Sequence, residues 1–233
     1  MQPVVIIPSR VGSRGIVRKN MTPLAGVTPV VRAARIGLSV GAHVVVTSDA
    51  TVAEQLNWGC QAQTYLYAPA PLHTDTCAMI DVVKDVLGRV PEGDPIILLQ
   101  PTQPLRTPAH VRNALALLTP EVDSVVSVVE LPQEQSPGLA CGIYNGWLQP
   151  WRSGEVWNDQ GWAGVPARRQ DVKPAYRRDG TAYCCWRKTV EQHGDLYGKY
   201  CVPLIISAEE TCALDTPADW AEAERRLQAR HDA

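Results

Sequence analysis

Ile6-Ile7-Pro8-Ser9-Arg10-Val11-Gly12-Ser13-Arg14-Gly15-Ile16-Val17-Arg18-Lys19-Asn20 joins an apolar strand directly to a loop of small residues carrying four cations. Val4 to Ile7 suits a strand buried in a parallel sheet. Gly12, Ser13 and Gly15 let the backbone turn tightly after it and aim amide N–H groups at one point, an arrangement suited to the oxygens of a polyphosphate. Arg10, Arg14, Arg18 and Lys19 add positive charge. No carboxylate precedes Asp49, and Arg32 and Arg35 lie in the same acid-free segment. The expected counterion is a negatively charged ligand. A solvated basic loop with ordinary surface ion pairs is the plainer reading, and the flanking strand, the glycines and the adjacent helix weigh against it.

Beyond this loop, apolar runs alternate with helical spacing. The pattern predicts a helix from Thr28 to about Val40, a strand from His43 to Thr47 and a helix from Thr51 to Trp58. A short strand over Ala62 to Leu66, a helix over Thr76 to Leu87, a buried strand over Ile96 to Leu99, a helix over Ala109 to Leu118 and a strand over Ser124 to Val129 follow. Repeated strand-helix units give an α/β class with a mainly parallel sheet, whose ligands sit beyond the carboxyl ends of the strands. The loops after Ile7, Thr47 and Leu99 are the places to look for a site. From 131 to 176 the pattern changes to short β-like pieces rich in Gly, Pro and Trp, including Trp147, Trp151, Trp157 and Trp162. This reads as a β-rich insertion in a single domain, 1–233. Its aromatics are expected to pack on the sheet or on a second subunit, and otherwise to wall a substrate pocket. Parallel-sheet character is expected again at Ala182 to Trp186 and Tyr200 to Ile206, before a charged helix from about Pro217 to Arg230.

Composition narrows the function. The 233 residues are 45% hydrophobic and 20% charged with a net charge of −2, which lacks the global basic excess of a nucleic-acid binder. No apolar run reaches the roughly 20 residues needed to span a bilayer, and the N-terminus lacks a signal-peptide layout, so cytoplasmic residence is the expectation. Seven cysteines without a C-x-x-C pair suggest neither a disulfide framework nor a zinc site, and most are expected to be buried. The five histidines show no ligand spacing and receive no chemistry here.

Four further segments stand out: Val-Val-Thr-Ser-Asp ending at Asp49; Leu98-Leu99-Gln100-Pro101-Thr102-Gln103-Pro104-Leu105-Arg106; Arg168-Arg169-Gln170-Asp171 with Asp179-Gly180-Thr181-Ala182-Tyr183; and Leu214-Asp215-Thr216-Pro217-Ala218-Asp219-Trp220. With the opening loop, they resemble in order the cytidylyltransferases that activate acidic sugars, above all the acylneuraminate (CMP-sialic acid synthetase) family. The resemblance spans nearly the whole chain. It implies a Rossmann-like three-layer nucleotidyltransferase fold and transfer of CMP from CTP to an acidic sugar such as a nonulosonic acid, with release of pyrophosphate. Homodimerisation is implied as well.

Residue by residue, the resemblance places Arg10, Ser13, Arg14, Lys19 and Asn20 on the nucleotide, with Arg10 and Lys19 stabilising charge as pyrophosphate leaves. Gln100, Thr102, Arg169 and Gln170 fall on the acceptor side, Arg169 being suited to paired hydrogen bonds with a carboxylate. Arg168 and Arg177 are weaker candidates for that contact. Asp215 is the expected Mg²⁺ ligand; magnesium can be held by one or two carboxylates with phosphates and water. The chain departs from the family at Ala213, where a first aspartate is usual, at Ala68 before Pro69, where arginine is common, and at Val17, where proline is. Asp49 is expected to cap the helix after it, and Asp219 to face a helix N-terminus. Two other readings remain: the same chemistry on another anionic acceptor such as a phosphonate, or with another nucleoside triphosphate, and a catalytically silent nucleotide-binding protein.

Overall fold

The computed structural model describes residues 1–12, 15–90, 92–144, 146–151 and 168–231. Among these residues the strands are β1 (Val4–Pro8), β2 (His43–Ser48), β3 (Thr64–Tyr67), β4 (Ile96–Leu98), β5 (Ser124–Glu130), β6 (Cys141–Tyr144), β7 (Trp147–Pro150), β8 (Tyr176–Cys185) and β9 (Cys201–Ile206). The helices are α1 (Pro29–Ser39), α2 (Val52–Leu56), α3 (Met79–Arg89), α4 (Pro108–Leu117), α5 (Arg187–His193) and α6 (Pro217–His231). One sheet has the order β3-β2-β1-β4-β8-β5-β9, and β6 pairs with β7 in a separate antiparallel hairpin. β1 runs parallel to both neighbours, with Val5 opposite Val44 on β2 and Ile97 on β4.

Alternation along the central strands feeds two cores. Val5, Ile7, Val44, Val46 and Ile97 pack with α1 and α4 on one face, while Val4, Ile6, Val45, Ile96 and Leu98 pack with α3 and α5 on the other. Both faces are therefore covered, and the strands read as unbroken apolar runs. Each fully buried valine or isoleucine contributes about 1.5–3 kcal/mol relative to exposure. A third cluster, Leu24, Leu105, Leu214, Ala223 and Leu227, seats α6 against the loops after β1 and β4. Helix starts follow local chemistry: the Thr28 hydroxyl accepts from Val31 N at α1, and Thr107 from His110 N at α4.

Two expectations about the second half are corrected. The strand expected at Ala182 with parallel character is the end of the ten-residue β8, which runs antiparallel to both β4 and β5. Its direction follows from connectivity. The chain leaves β5 at Glu130 and returns beside it at Tyr176, with Leu131 N bonded to Ala175 O, and among the described residues between them no α-helix carries it back across the sheet as a parallel partner requires. Of the places expected for Trp147 and Trp151, the sheet is not one, since they are exposed by 74% and 63% on the single chain. Trp157 and Trp162 lie outside the described residues. Among the cysteines only Cys60, Cys184 and Cys185 are buried, so most are not core residues.

Candidate active site

The loop after β1 is stitched to β2 before it reaches any ligand. Ser9 N donates to Thr47 O at 2.8 Å, the Ser48 hydroxyl donates to Ser9 O at 2.6 Å, and Val11 N donates to Asp49 Oδ1 at 2.6 Å. Asp49 thus holds the basic loop. It does not cap α2; Thr51 does, through a reciprocal capping box with Glu54. The left-handed turn of the loop is made by Arg18, at φ 50°, rather than by a glycine. Gly15 has a different use: a Cβ there would stand 2.2 Å from the carbonyl oxygen of Asp215, so its lack of a side chain lets the loop dock on the segment before α6.

Lys19 completes that docking. Its ammonium donates to Leu214 O and lies 3.5 Å from Asp215 Oδ1, and its side chain is only 15% exposed. Arg10 pairs with Asp75, Nη1 to Oδ1, at 2.6 Å. The acid-free N-terminal segment therefore draws carboxylates from later in the chain, and an anionic ligand would compete with them. Arg32 is removed from that field, because its guanidinium bonds Leu24 O and Ala25 O and burial pushes it down. Asn20 is buried, donates to Arg10 O at 3.3 Å and keeps its Oδ1 unpaired.

These groups surround a cavity of about 440 Å³ beyond the carboxyl ends of β1, β2, β3 and β4. Arg10, Lys19, Asn20, Gln100, Thr102 and Asp215 all line it. Gln100 and Thr102 do not cap the next helix, since Thr107 does that. Their loop is fixed by Arg106, whose buried guanidinium donates to Gln100 O at 2.7 Å, to Gly180 O at 3.2 Å and to Thr181 O. Desolvation pushes Arg106 down to about 9, with nearby Asp179 opposing, so it stays charged at neutral pH. The register of β5 and β8 shifts between Val126 and Val128, and this irregularity swings Asp179-Gly180-Thr181 toward the site. Gly180, at φ 80°, lies so close that a Cβ would meet Gln100 Oε1 at 2.6 Å.

Other expected residues lie elsewhere. Ser13 and Arg14 are outside the described residues. Arg169 and Gln170 fall in a 3-10 turn, Arg169–Asp171, with Gln170 exposed and away from the cavity wall; the Arg169 side chain is not among those described. Arg168 is exposed and forks onto Asp171. Asp219 behaves as expected: its carboxylate accepts from Thr216 N at 2.7 Å at the start of α6, and the Thr216 hydroxyl, with Lys19 contributing, holds it below the usual carboxylate range. His73 and Asp75, which the sequence did not single out, line the cavity. No spacing rule points to them, because they sit in an irregular stretch between β3 and α3.

For magnesium, the fit rests on Asp215, whose side chain is 73% exposed at the cavity wall. Among the described residues no group of three or more His, Cys, Asp or Glu gathers as a ready-made metal site. One open carboxylate suits a cation that takes its remaining ligands from phosphate and water.

A loop at the carboxyl end of β1 that carries Arg10 and Lys19 and meets Asp215 at one cavity suits a nucleotidyltransferase-type α/β protein. A family model described as Cytidylyltransferase matches residues 4–136, more than half of the chain, and the chain belongs to that family. It is 27% identical over 246 residues to the CMP-N,N'-diacetyllegionaminic acid synthase of Legionella pneumophila, covering 100% of this chain and 99% of that protein. It is also 27% identical over 225 residues to the N-acylneuraminate cytidylyltransferase of Streptococcus agalactiae serotype III, covering 94% of this chain but only 52% of that longer protein. A solved structure of CMP:2-keto-3-deoxy-manno-octonic acid synthetase complexed with CTP shares the fold, with a TM-score of 0.70, 16% identity and coverage of 99% of this chain and 100% of that one.

Proposed function

We propose that this protein transfers CMP from CTP to a hydroxyl of an acidic sugar of the nonulosonic class and releases pyrophosphate. The observation that carries the reading is one cavity in which Arg10 and Lys19 of the β1 loop meet Asp215 and face Gln100 and Thr102 of the β4 loop. In the reaction the acceptor oxygen bonds to the α-phosphorus as the bond to the bridging oxygen of pyrophosphate breaks, and the hydroxyl proton passes to solvent. Little covalent chemistry falls to the protein, which positions the groups and neutralises charge. Arg10 leaves Asp75 for the triphosphate, and Lys19, held by Leu214 O, points a fixed charge at the leaving group. Ser13 and Arg14 assist from the same loop and Asn20 holds the nucleoside. Gln100 and Thr102 offer neutral donors and acceptors to the sugar, with Arg169 and Gln170 recruited to its carboxylate. Mg²⁺, held by Asp215 together with phosphate oxygens, would supply charge neutralisation, and its affinity would then depend on bound nucleotide.

The exposed Ile143, Trp147, Leu148 and Trp151 of the β6–β7 hairpin favour a homodimer in which a second subunit covers them. No described helix is long and apolar enough to cross a membrane, and use of CTP fits work in the cytoplasm. The test is pyrophosphate release with Mg²⁺ across CTP, UTP, GTP and ATP, each against sialic-type acids, 2-keto-3-deoxy-manno-octonic acid and small phosphonates. Release with CTP and one sugar acid is expected. Release only with a phosphonate would move the acceptor class, and nucleotide binding without turnover in any pairing would favour a silent binder. Asp215→Ala should lower Mg²⁺-dependent turnover and raise the Mg²⁺ concentration it needs, and an unchanged magnesium dependence would remove Asp215 as the ligand.

A further inference from the structure

Gln103 follows Thr102 on the β4 loop yet does not line the cavity, and the residue is only 4% exposed. Both ends of its side-chain amide are used. Nε2 donates to Asp179 O on β8, and Oε1 accepts from the Thr211 hydroxyl at 3.2 Å. A carbonyl can only accept, so the NH₂ must face Asp179, which leaves the oxygen for Thr211. Thr211 is buried as well and lies in the segment 207–216 between β9 and α6, which carries Asp215. The same segment meets the β4 loop again at Leu214, whose N–H donates to Thr102 O at 2.9 Å and whose carbonyl accepts from Lys19. Leu214 therefore touches the acceptor-side loop through its N–H and the phosphate-side cation through its C=O, and Asp215 is next in the chain. From α6, Arg226 donates to Thr211 O at 3.1 Å and Arg230 to Leu105 O at 2.7 Å.

We infer that Gln103 and Thr211 are positioning residues that set the Asp215 segment against the β4 loop, and so place Lys19 and Asp215 relative to Gln100 and Thr102; the inference rests on the CMP-transfer reading and deepens it. The bond from Leu214 N to Thr102 O taken alone leaves a pivot. A second contact three residues earlier, from Thr211 to Gln103, fixes the direction of the segment as well. Both partners are buried, so water competes little for the bond. Nucleotidyl transfer needs the acceptor oxygen in line with the leaving group, and the rate falls steeply when the two sides are misplaced. The pair therefore acts where both sides must be right together, in turnover of the bound acceptor, and not in the hold of the β1 loop on CTP.

The test is pyrophosphate release by the full chain with CTP and Mg²⁺, using N-acetylneuraminic acid and 2-keto-3-deoxy-manno-octonic acid as acceptor probes, beside calorimetric titration with CTP. Thr211→Val keeps the shape and removes only the hydroxyl, Thr211→Ser keeps the hydroxyl, and Gln103→Leu removes both amide bonds. Thr211→Val, shown folded by circular dichroism, should lose roughly tenfold in kcat/KM for the acceptor, within the hundredfold that misplacement by about 1 Å can cost. Its CTP affinity should match that of the wild type, a split that a merely structural role would not produce. Thr211→Ser should recover most of the loss. Combining Gln103→Leu with Thr211→Val should cost less than the sum of the two single changes, since their shared bond can be lost only once. Should Gln103→Leu fail to fold, Thr211→Val and Thr211→Ser decide the matter alone. An unchanged kcat/KM in folded Thr211→Val, an additive double variant, or a loss confined to CTP affinity would overturn the positioning role while leaving CMP transfer standing. A wild type that releases no pyrophosphate with either acid would instead remove the acidic-sugar reading and this inference with it.

Discussion

In the proposed reaction Lys19 carries two duties that a substitution separates. Read in sequence it is a cation on a loop, with nothing to say that it contacts Leu214, 195 residues away. In the structure its side chain is largely buried and its ammonium satisfies Leu214 O beside Asp215. Lys19→Ala should therefore lower kcat by about 10²–10³, as loss of one preorganised charge does. It should also destabilise the fold by about 1–3 kcal/mol, because a carbonyl loses its charged donor. Lys19→Met should restore much of the lost packing and none of the activity. Pyrophosphate release and urea unfolding measure the two separately, and a near-normal kcat in either variant would remove Lys19 from the chemistry. The loop was legible as a basic turn after a buried strand because strand, glycines and cations are local patterns. Its counter-charges were not, since Asp75 and Asp215 reach it only through the fold.

At the scale of elements, β8 and Arg106 show where local reading stops. β1, β2 and β4 were legible because burial on both faces leaves continuous apolar runs. β8 begins instead with Tyr176, Arg177 and Arg178, all exposed, so only its buried second half stood out, and its direction depends on an excursion of more than 40 residues. α5 was missed for a related reason: seven residues with only Thr189 and Val190 buried give no helical stripe to count. Arg106 joins the β4 loop to β8 by bonding three carbonyls from within the interior, and Gln103 adds a bond to Asp179 O. Replacing Arg106 with methionine keeps volume but leaves those carbonyls unpaired and Asp179 without a nearby positive charge. A loss of about 3–5 kcal/mol is expected, the range for breaking a buried charged partnership. Equilibrium unfolding measures it. KM for the acceptor should rise as well, because the Gln100 loop loses its tether. A stability within about 1 kcal/mol of wild type would show that water or neighbouring donors replace the guanidinium.

Across the whole molecule, carboxylates act as clamps on backbone and helix starts, which sets the response to acid. Backbone amides of Tyr200 and Lys199 hold Asp123 below its ordinary value, and those of Gly198 and Tyr197 do the same for Asp195. Hydrogen bonds from His110 and Ser207 lower Glu210, and Thr51 lowers Glu54 at the α2 cap. Asp219 is lowered at the start of α6, and Arg225 with Arg226 brings Glu222 down to about 2. Each of these groups binds a proton less readily folded than unfolded, where carboxylates titrate near about 4. Their stabilisation is thus fully present above about pH 5 and is lost as pH falls through the folded values. Several are solvent-exposed, so salt will mute the effect. α6 is the most exposed to it, because Glu222 positions Arg226 against the carbonyls of Ala208, Glu209 and Thr211, and Asp219 caps the turn that presents Asp215 to the cavity. The thermal midpoint followed by circular dichroism should fall steeply between about pH 4.5 and 2. Glu222→Gln should lower the midpoint at pH 7 and flatten that fall, and an identical acid profile in this variant would take the Glu222 clamp out of the account.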